Sequence, residues 1–275
     1  MTLLDGQKLA DSMLVNLKLE IDSKNIQPYM AAILIGDDPA SLKYVDMKQA
    51  AGQKVGIKTA IHHLSSDTSQ DKAIDLIKSF NIDQNIHGIL VQLPLPFGFE
   101  TNTIINTIDP KKDIDGLTNQ NLGSLFQGDE TVSVSASPLA VIRLLEEYNI
   151  DFTGKHLVII NNTPLIGLPL TALFNNRLAT VTVCHKHTQN LNSITQTADI
   201  LISAVGIKNF VTTDMIKDGA IVVGLGVCRD ESGKMAGDLD FRNLSSKVSF
   251  ITPNFGGIGP MTIACLFQNL VNLLK

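Results

Sequence analysis

Cysteine is scarce in this chain. The three residues, Cys184, Cys228 and Cys265, lie in apolar runs, and none forms a C-x-x-C pair. That excludes a disulfide framework and a structural zinc site, and it fits reduced core thiols in a reducing compartment. Long apolar runs are also missing: none reaches the roughly 18 residues that a membrane-spanning helix needs. The sequence has no excess of positive charge, its formal net charge being −5 at neutral pH. No broad cationic field is therefore available to recruit nucleic acid or an anionic membrane surface. The opening MTLLDGQKLADSM carries an acid at Asp5 and lacks the basic and apolar regions of a secretory signal. Internal repeats and low-complexity segments are absent. These exclusions leave an expectation of a soluble cytosolic protein with no resident metal, nucleic acid or membrane partner.

What the sequence does have is alternation. With 44% hydrophobic and 18% charged residues, its 275 residues can bury a sizeable core. Short β-rich runs fall at 30–36, 57–64, 88–92, 156–161, 179–184, 199–205 and 220–224, several of them continuously apolar, as parallel strands covered on both faces are. Helical patterns at 40–55, 71–80, 168–176 and 261–274 separate them. Strand–helix alternation predicts βαβ units and a two-domain α/β protein whose second domain is a Rossmann-like doubly wound parallel sheet. Ser137 reads as an N-cap with Pro138 in the first helical position. The expected division is an N-terminal α/β domain over 1–135, a Rossmann-like domain over 136–260, and a C-terminal helix, 260–275, that packs back on the first domain.

Polar residues interrupt this apolar frame in a few places. Tyr44 and Lys48 are four apart, so on a helix they share a face. They read either as a solvated pair or as proton-handling groups on a pocket wall, the lysine being tuned below its free value of ~10.4. Gln92 ends the run GILVQ before LPLP, at the carboxyl end of a buried strand, where α/β proteins place ligand groups; a backbone-capping amide explains it equally well. Asp113 and Asp115 lie in the turn-rich DPKKDIDGL. Acids in such loops are mostly solvated or make Asx-turns. In a pocket, one could accept paired hydrogen bonds from an amino-pyrimidinone edge.

The segment HLVIINNTPLIGLPLTALF reads as strand, turn and helix without G-x-G-x-x-G, keeping only Gly167 near the helix start. A helix N-terminus there still offers N–H groups to phosphate oxygens. The next strand runs into His185-Lys186-His187. An acid near this position suits the ribose 2′-hydroxyl of NAD, and a base suits the 2′-phosphate of NADP. The bases present point to NADP, with NAD as the alternative and an unliganded basic turn as a third reading. Gly256, Gly257 and Gly259 precede Pro260; they allow positive φ and close approach of backbone to a ligand, or form a plain tight turn.

Taken together, GDDPASLKYVDMK, GILVQLPLP, PKKDIDGL, ATVTVCHKHT, ADILISAVG, GDLDF and GGIGPMTIA resemble the bifunctional methylenetetrahydrofolate dehydrogenase/methenyltetrahydrofolate cyclohydrolase family over nearly the whole chain. The resemblance implies oxidation of 5,10-methylenetetrahydrofolate with NADP, then hydrolysis of the 5,10-methenyl product to 10-formyltetrahydrofolate. It also implies a homodimer formed through the cofactor domains and a place in one-carbon metabolism and purine biosynthesis. Tyr44, Lys48, Gln92 and Asp115 then line the folate pocket. Asp115 anchors the pterin, Tyr44 packs along the aminobenzoate, and Lys48, tuned by Gln92, handles protons. The backbone at Gly257 and Pro260 adds substrate contacts. Asn161, Asn162, Thr163, Gly167, Lys186 and Val227 fall at the cofactor positions.

The departures from the family pattern cluster there. G-R-S-x-I-V-G-x-P is replaced by Asn161 to Pro169, which removes the arginine that helps bind the 2′-phosphate. Lys186 stands where serine is common and could supply that charge from the opposite side. D-V-G-I-N becomes Gly224 to Cys228, P-C-T-P-x-G becomes Ser135 to Ala140, and V-P before the glycines becomes Asn254-Phe255. Two alternatives follow: a cyclohydrolase whose dehydrogenase is weak or uses NAD, or a non-catalytic folate-binding paralogue.

Overall fold

The computed structural model describes residues 1–274. Its elements begin with β1 (Thr2–Leu3), α1 (Gly6–Lys24), β2 (Tyr29–Ile35), α2 (Pro39–Val55), β3 (Lys58–Leu64), α3 (Gln70–Ile82) and β4 (Gly88–Val91). Three helices follow: α4 (Thr101–Ile105), α5 (Asn119–Phe126) and α6 (Ala136–Glu147). Then come β5 (His156–Ile160), α7 (Gly167–Asn176), β6 (Thr180–Cys184), α8 (Leu191–Thr195), β7 (Ile200–Ser203) and β8 (Ile221–Gly224). The chain continues through β9 (Val227–Arg229), β10 (Met235–Gly237), α9 (Phe241–Leu244), β11 (Phe250–Ile251) and α10 (Ile258–Asn272). No described helix is long and apolar enough to cross a membrane.

Two compact units emerge. The first comprises Ser12–Ser124, Glu130–Ala136 and the chain from Ile263 onward; the second comprises Met1–Asp11, Leu125–Asp129 and Ser137–Thr262. The first unit holds a parallel sheet ordered β3-β2-β4. Its central strand is buried from Met30 to Ile35 and β4 along its whole length, which is why both read as unbroken apolar runs. After β2 the chain turns into α2. Asp38 caps that helix by accepting from Ser41 N at 2.8 Å, which also holds its carboxyl below the usual carboxylate range. Pro39 opens the first turn, and Gly56, at φ 86°, closes the last in the left-handed conformation. Asn269 of α10 donates to the carbonyls of Ile114 and Val134, tying the 114 and 134 segments to that helix inside this unit.

The second unit is built on a six-stranded parallel sheet ordered β1-β11-β8-β7-β5-β6. Starting from β5, the strand order is that of a doubly wound sheet, so the topological switch lies between β5 and β7. Val158, Ile160, Leu201, Val222, Leu239 and Ile251 belong to a continuous buried cluster over this sheet. The two-domain α/β architecture read from the alternation is thus present.

Several local expectations change. The strand expected to reach Val205 stops at Ser203, because Val205 N donates to the carboxylate of Asp238 and leaves the ladder. Ser137 is not an N-cap: α6 already begins at Ala136, and the Ser137 hydroxyl pairs with Thr262 Oγ1 at 3.2 Å. Of the three glycines before Pro260, only Gly256 has a positive φ, 80°. Gly257 is small for a different reason, since a Cβ there would lie 3.1 Å from Pro253 O.

Candidate active site

In the first unit the sheet again reverses its winding at the central strand, between β2 and β4. Crevices at the carboxyl ends of such strands are where α/β proteins bind ligands. Here α2, which follows β2, carries Tyr44 and Lys48, and Gln92 directly follows β4. Gln92 N continues the ladder to Ile33 O at 2.9 Å, and its side-chain amide donates to Leu93 O at 2.7 Å. Those two bonds leave Gln92 Oε1 aimed at the helix, where it accepts from Lys48 Nζ at 3.0 Å.

The third member arrives by a different route. Residues 112–113 run beside β4 as a one-residue parallel bridge, with Ile89 N donating to Lys112 O at 2.7 Å. Of the two adjacent acids, Asp113 is buried and structural. It accepts from Thr118 N at 2.8 Å and from Asn121 Nδ2 at 3.0 Å, closing the loop on itself. Asp115, two residues on, is the acid whose charge reaches Lys48, and its carboxylate is bonded to the backbone of Ala136. Burial pushes the Lys48 amine below its ordinary value, partly opposed by Asp115. Burial likewise pushes Asp115 up, with Lys48 opposing and Asp113 adding to the rise. An amine and a carboxylate displaced toward each other in one crevice form a unit suited to holding and passing a proton. Tyr44 lies one turn before Lys48 and is 45% exposed, free to pack along a ligand.

In the second unit, the turns after β5 and β6 leave the sheet side by side, since Ile160 pairs with Cys184. The β5 turn is organised by Asn161. Its Oδ1 accepts from Thr163 N, Thr163 Oγ1 and Gly167 N at 2.8, 2.8 and 3.0 Å, and its Nδ2 donates to Ala204 O at 2.8 Å. Asn162 and Thr163 are exposed at this edge. Gly167 packs against the strand end, where an added Cβ would come within 2.9 Å of Asn162 Cα and overlap the Asn161 carbonyl. This is the close helix–strand approach that dinucleotide sites use. Gly167→Ala is therefore expected to destabilise the chain by roughly 1–3 kcal/mol of overpacking, read as a lower thermal midpoint. Lys186 is exposed in the β6 turn, which Thr188 closes by accepting from His185 N at 2.9 Å. Val227, 39% exposed, opens β9. The family aspartate missing at Gly224 has a packing counterpart, because a Cβ there would lie 2.7 Å from Leu239 Cγ.

Gly257 and Pro260 also belong to the second unit. Gly257 backs onto Gly6, whose own Cβ would overlap its carbonyl, and Pro260 sits in the first turn of α10. The residue that sequence reasoning missed is Asp238. It lies in the GDLDF stretch, but its partners are 31–35 positions away, beyond the reach of any local pattern.

A crevice with a tuned amine and carboxylate on one α/β unit, and a doubly wound sheet with ligand-edge turns on another, is the plan of a two-domain α/β enzyme. Residues 4–115 match the tetrahydrofolate dehydrogenase/cyclohydrolase catalytic domain, and residues 135–275 match the NAD(P)-binding domain of the same enzymes. The bifunctional protein FolD of Nautilia profundicola is 45% identical over 278 residues, spanning 100% of this chain and 98% of that protein. The crystal structure of the bifunctional enzyme FolD from Campylobacter jejuni superposes with a TM-score of 0.96 at 43% identity, covering 99% of this chain and 98% of that one. The Trypanosoma brucei methylenetetrahydrofolate dehydrogenase-cyclohydrolase, complexed with NADP cofactor and inhibitor, gives a TM-score of 0.94 at 28% identity, covering 100% and 97%. This chain belongs to the tetrahydrofolate dehydrogenase/cyclohydrolase family and is a bifunctional dehydrogenase and cyclohydrolase.

Proposed function

We propose that the chain oxidises 5,10-methylenetetrahydrofolate with NADP and hydrolyses the methenyl product at the crevice of Lys48, Gln92 and Asp115. The observation that carries this reading is the Lys48 Nζ–Gln92 Oε1 bond of 3.0 Å beside Asp115. Asp115 accepts the donors of the pterin's amino-pyrimidinone edge, as carboxylates accept paired N–H groups. Tyr44 packs along the aminobenzoate. Gln92 holds the amine in place, and desolvation favours its neutral form, which takes the proton that water gives up as its oxygen bonds to the methenyl carbon. The protonated lysine then supplies a proton to N5 as the carbon–N5 bond breaks and the carbon's hydroxyl releases its remaining proton to solvent, leaving the formyl group on N10. The backbone at Gly257 and Pro260 is assigned further substrate contacts.

The cofactor belongs to the second unit, at the turns after β5 and β6. When bound, the nicotinamide supplies the two-electron acceptor for oxidation of the methylene bridge. Asn162, Thr163, Gly167 and the N-terminus of α7 hold its phosphates, and Val227 adds an apolar contact. Lys186, exposed in the β6 turn, would supply the charge for the 2′-phosphate, in place of the arginine the Asn161–Thr163 turn lacks. A working division follows in which 1–135 binds folate and 136–260 binds dinucleotide, save that Met1–Asp11 and Leu125–Asp129 fold with the second unit, in a cytosolic homodimer. A weak or NAD-dependent dehydrogenase is the second reading, favoured by Asn161, which already occupies the N–H groups of Thr163 and Gly167.

Lys186→Ala separates the two. Loss of one exposed charge–phosphate contact is expected to weaken NADP by roughly tenfold while NAD changes little, as measured by titrating each dinucleotide. Equal losses for both would remove Lys186 from the 2′-phosphate and favour the NAD reading.

A further inference from the structure

We propose that Asp238 is the positioning residue that fixes the two walls of the dinucleotide crevice. This rests on the second unit being the dinucleotide unit. Asp238 is only 1% exposed. Its Oδ2 accepts from Ser203 Oγ and from Val205 N, both at 2.8 Å, and its Oδ1 accepts from Ile207 N at 3.0 Å. Its own N–H donates to Gly226 O at 3.1 Å, and a Cβ on Gly226 would overlap its carboxylate. Val211 N, donating to Asp238 O at 2.9 Å, anchors the segment from behind. The side chain therefore holds the loop leaving β7, while the backbone N–H of the same residue holds the loop leaving β8, whose Gly226 packs against the carboxylate, at the carboxyl ends of adjacent parallel strands.

The partners on Asp238 are all uncharged, and burying an anion among them is costly unless its lone pairs are satisfied. Three donors converge on it, and only an acceptor-only group answers all three; an amide would set its NH2 against at least one. The loop so held is also held from the β5 side by the Asn161 amide on Ala204 O. Clamped between Asn161 and Asp238, residues 204–207 carry Ile207, 53% exposed, and lie against Val227: a Cβ on Gly206 would be 3.5 Å from Val227 O. Two exposed apolar side chains on rigid loops at the ligand edge suit a flat cofactor ring. Nothing in this arrangement involves Lys48, Gln92 or Asp115.

The test uses the full-length Asp238→Asn and Ser203→Ala proteins. Three quantities are read: dissociation constants for NADP and NAD by calorimetry, amide exchange at Val205 and Ile207, and cyclohydrolase turnover of methenyltetrahydrofolate without dinucleotide. Asp238→Asn is expected to weaken dinucleotide binding by about tenfold or more and to speed both amides. Its cyclohydrolase should stay within about threefold of wild type, and kcat of the dehydrogenase at saturating cofactor should also hold. Ser203→Ala removes one of the three bonds and should weaken binding by roughly three- to tenfold; it decides the matter if Asp238→Asn does not fold. Unchanged dinucleotide binding in the folded variants would overturn the proposal, and so would parallel loss of binding and cyclohydrolase. A wild-type protein that binds neither dinucleotide would instead overturn the cofactor reading on which the proposal rests.

Discussion

Lys48→Met lowers cyclohydrolase turnover by about 10²–10⁴-fold, the range expected when a positioned proton-transfer group is removed, while folate still binds. Methionine keeps the length and the apolar stem of the side chain but has no amine to take the proton from water. Gln92 Oε1 loses its donor, yet Gln92 stays fixed by its bonds to Ile33 O and Leu93 O. The pocket should therefore keep its shape. Binding is checked by titration with the methenyl substrate, and chemistry by the enzyme-dependent decay of its absorbance. The same amine sets a pH dependence. Because burial lowers its pKa, the neutral amine is populated at lower pH than for a free lysine. Turnover in the wild type should rise with pH along a limb lying well below the ordinary lysine range, and that limb should vanish in Lys48→Met. Hydrolysis surviving within a few-fold, with the limb intact, would move the proton transfer to another group.

Asp115→Asn acts on binding first and on pH second. Exchanging one carboxylate oxygen for NH2 sets donor against donor at the pterin edge. Loss of charge-assisted bonds of about 1.5–3 kcal/mol corresponds to roughly 10–100-fold in KM for folate. The carboxylate also raises the Lys48 pKa, so its removal lets burial act unopposed. The Lys48 limb should then shift to lower pH, a direction opposite to that expected from simple damage to the pocket. In the wild type, burial and the neighbouring Asp113 raise the Asp115 pKa. Folate binding that needs the ionised carboxylate should accordingly fail, as pH drops, sooner than it would with an ordinary aspartate. A KM within twofold of wild type, or a limb moving to higher pH, would contradict the anchoring role.

Much of this was legible in the sequence where local pattern and burial agree. The runs at 30–36 and 88–92 are apolar because β2 and β4 are covered on both faces, and the end of GILVQ put Gln92 at a strand's carboxyl edge. Spacing put Tyr44 and Lys48 on one helix face, yet it left open whether Lys48 had a partner. The answer depended on α2 and β4 meeting across 44 residues. Spacing was equally silent on Asp113 and Asp115. Their roles divide because Asp113 turns back to Thr118 and Asn121, whereas Asp115 faces the lysine. The short strands β1, β9, β10 and β11 have two or three residues each, too few for any periodicity. They exist through the partners that tertiary structure brings, as when Thr2 meets Phe250. Ser137 followed by Pro138 looked like a helix start, but tertiary packing begins the helix at Ala136 and gives the serine hydroxyl to Thr262. Asp238 was unreadable for the same reason, because its meaning lies in three donors from the far side of the β7 loop.

One measurement bears most directly on the central claim, that a single chain oxidises the methylene bridge and opens the methenyl product. Purified protein is mixed with 5,10-methylenetetrahydrofolate and NADP or NAD, following reduced cofactor and methenyl absorbance, and in parallel with methenyltetrahydrofolate alone, following its decay. Oxidation preferring NADP, together with enzyme-accelerated decay, is the expected result. Decay without oxidation would mean that the Asn161–Thr163 turn has cost the dehydrogenase half, and the absence of both activities would contradict the account outright.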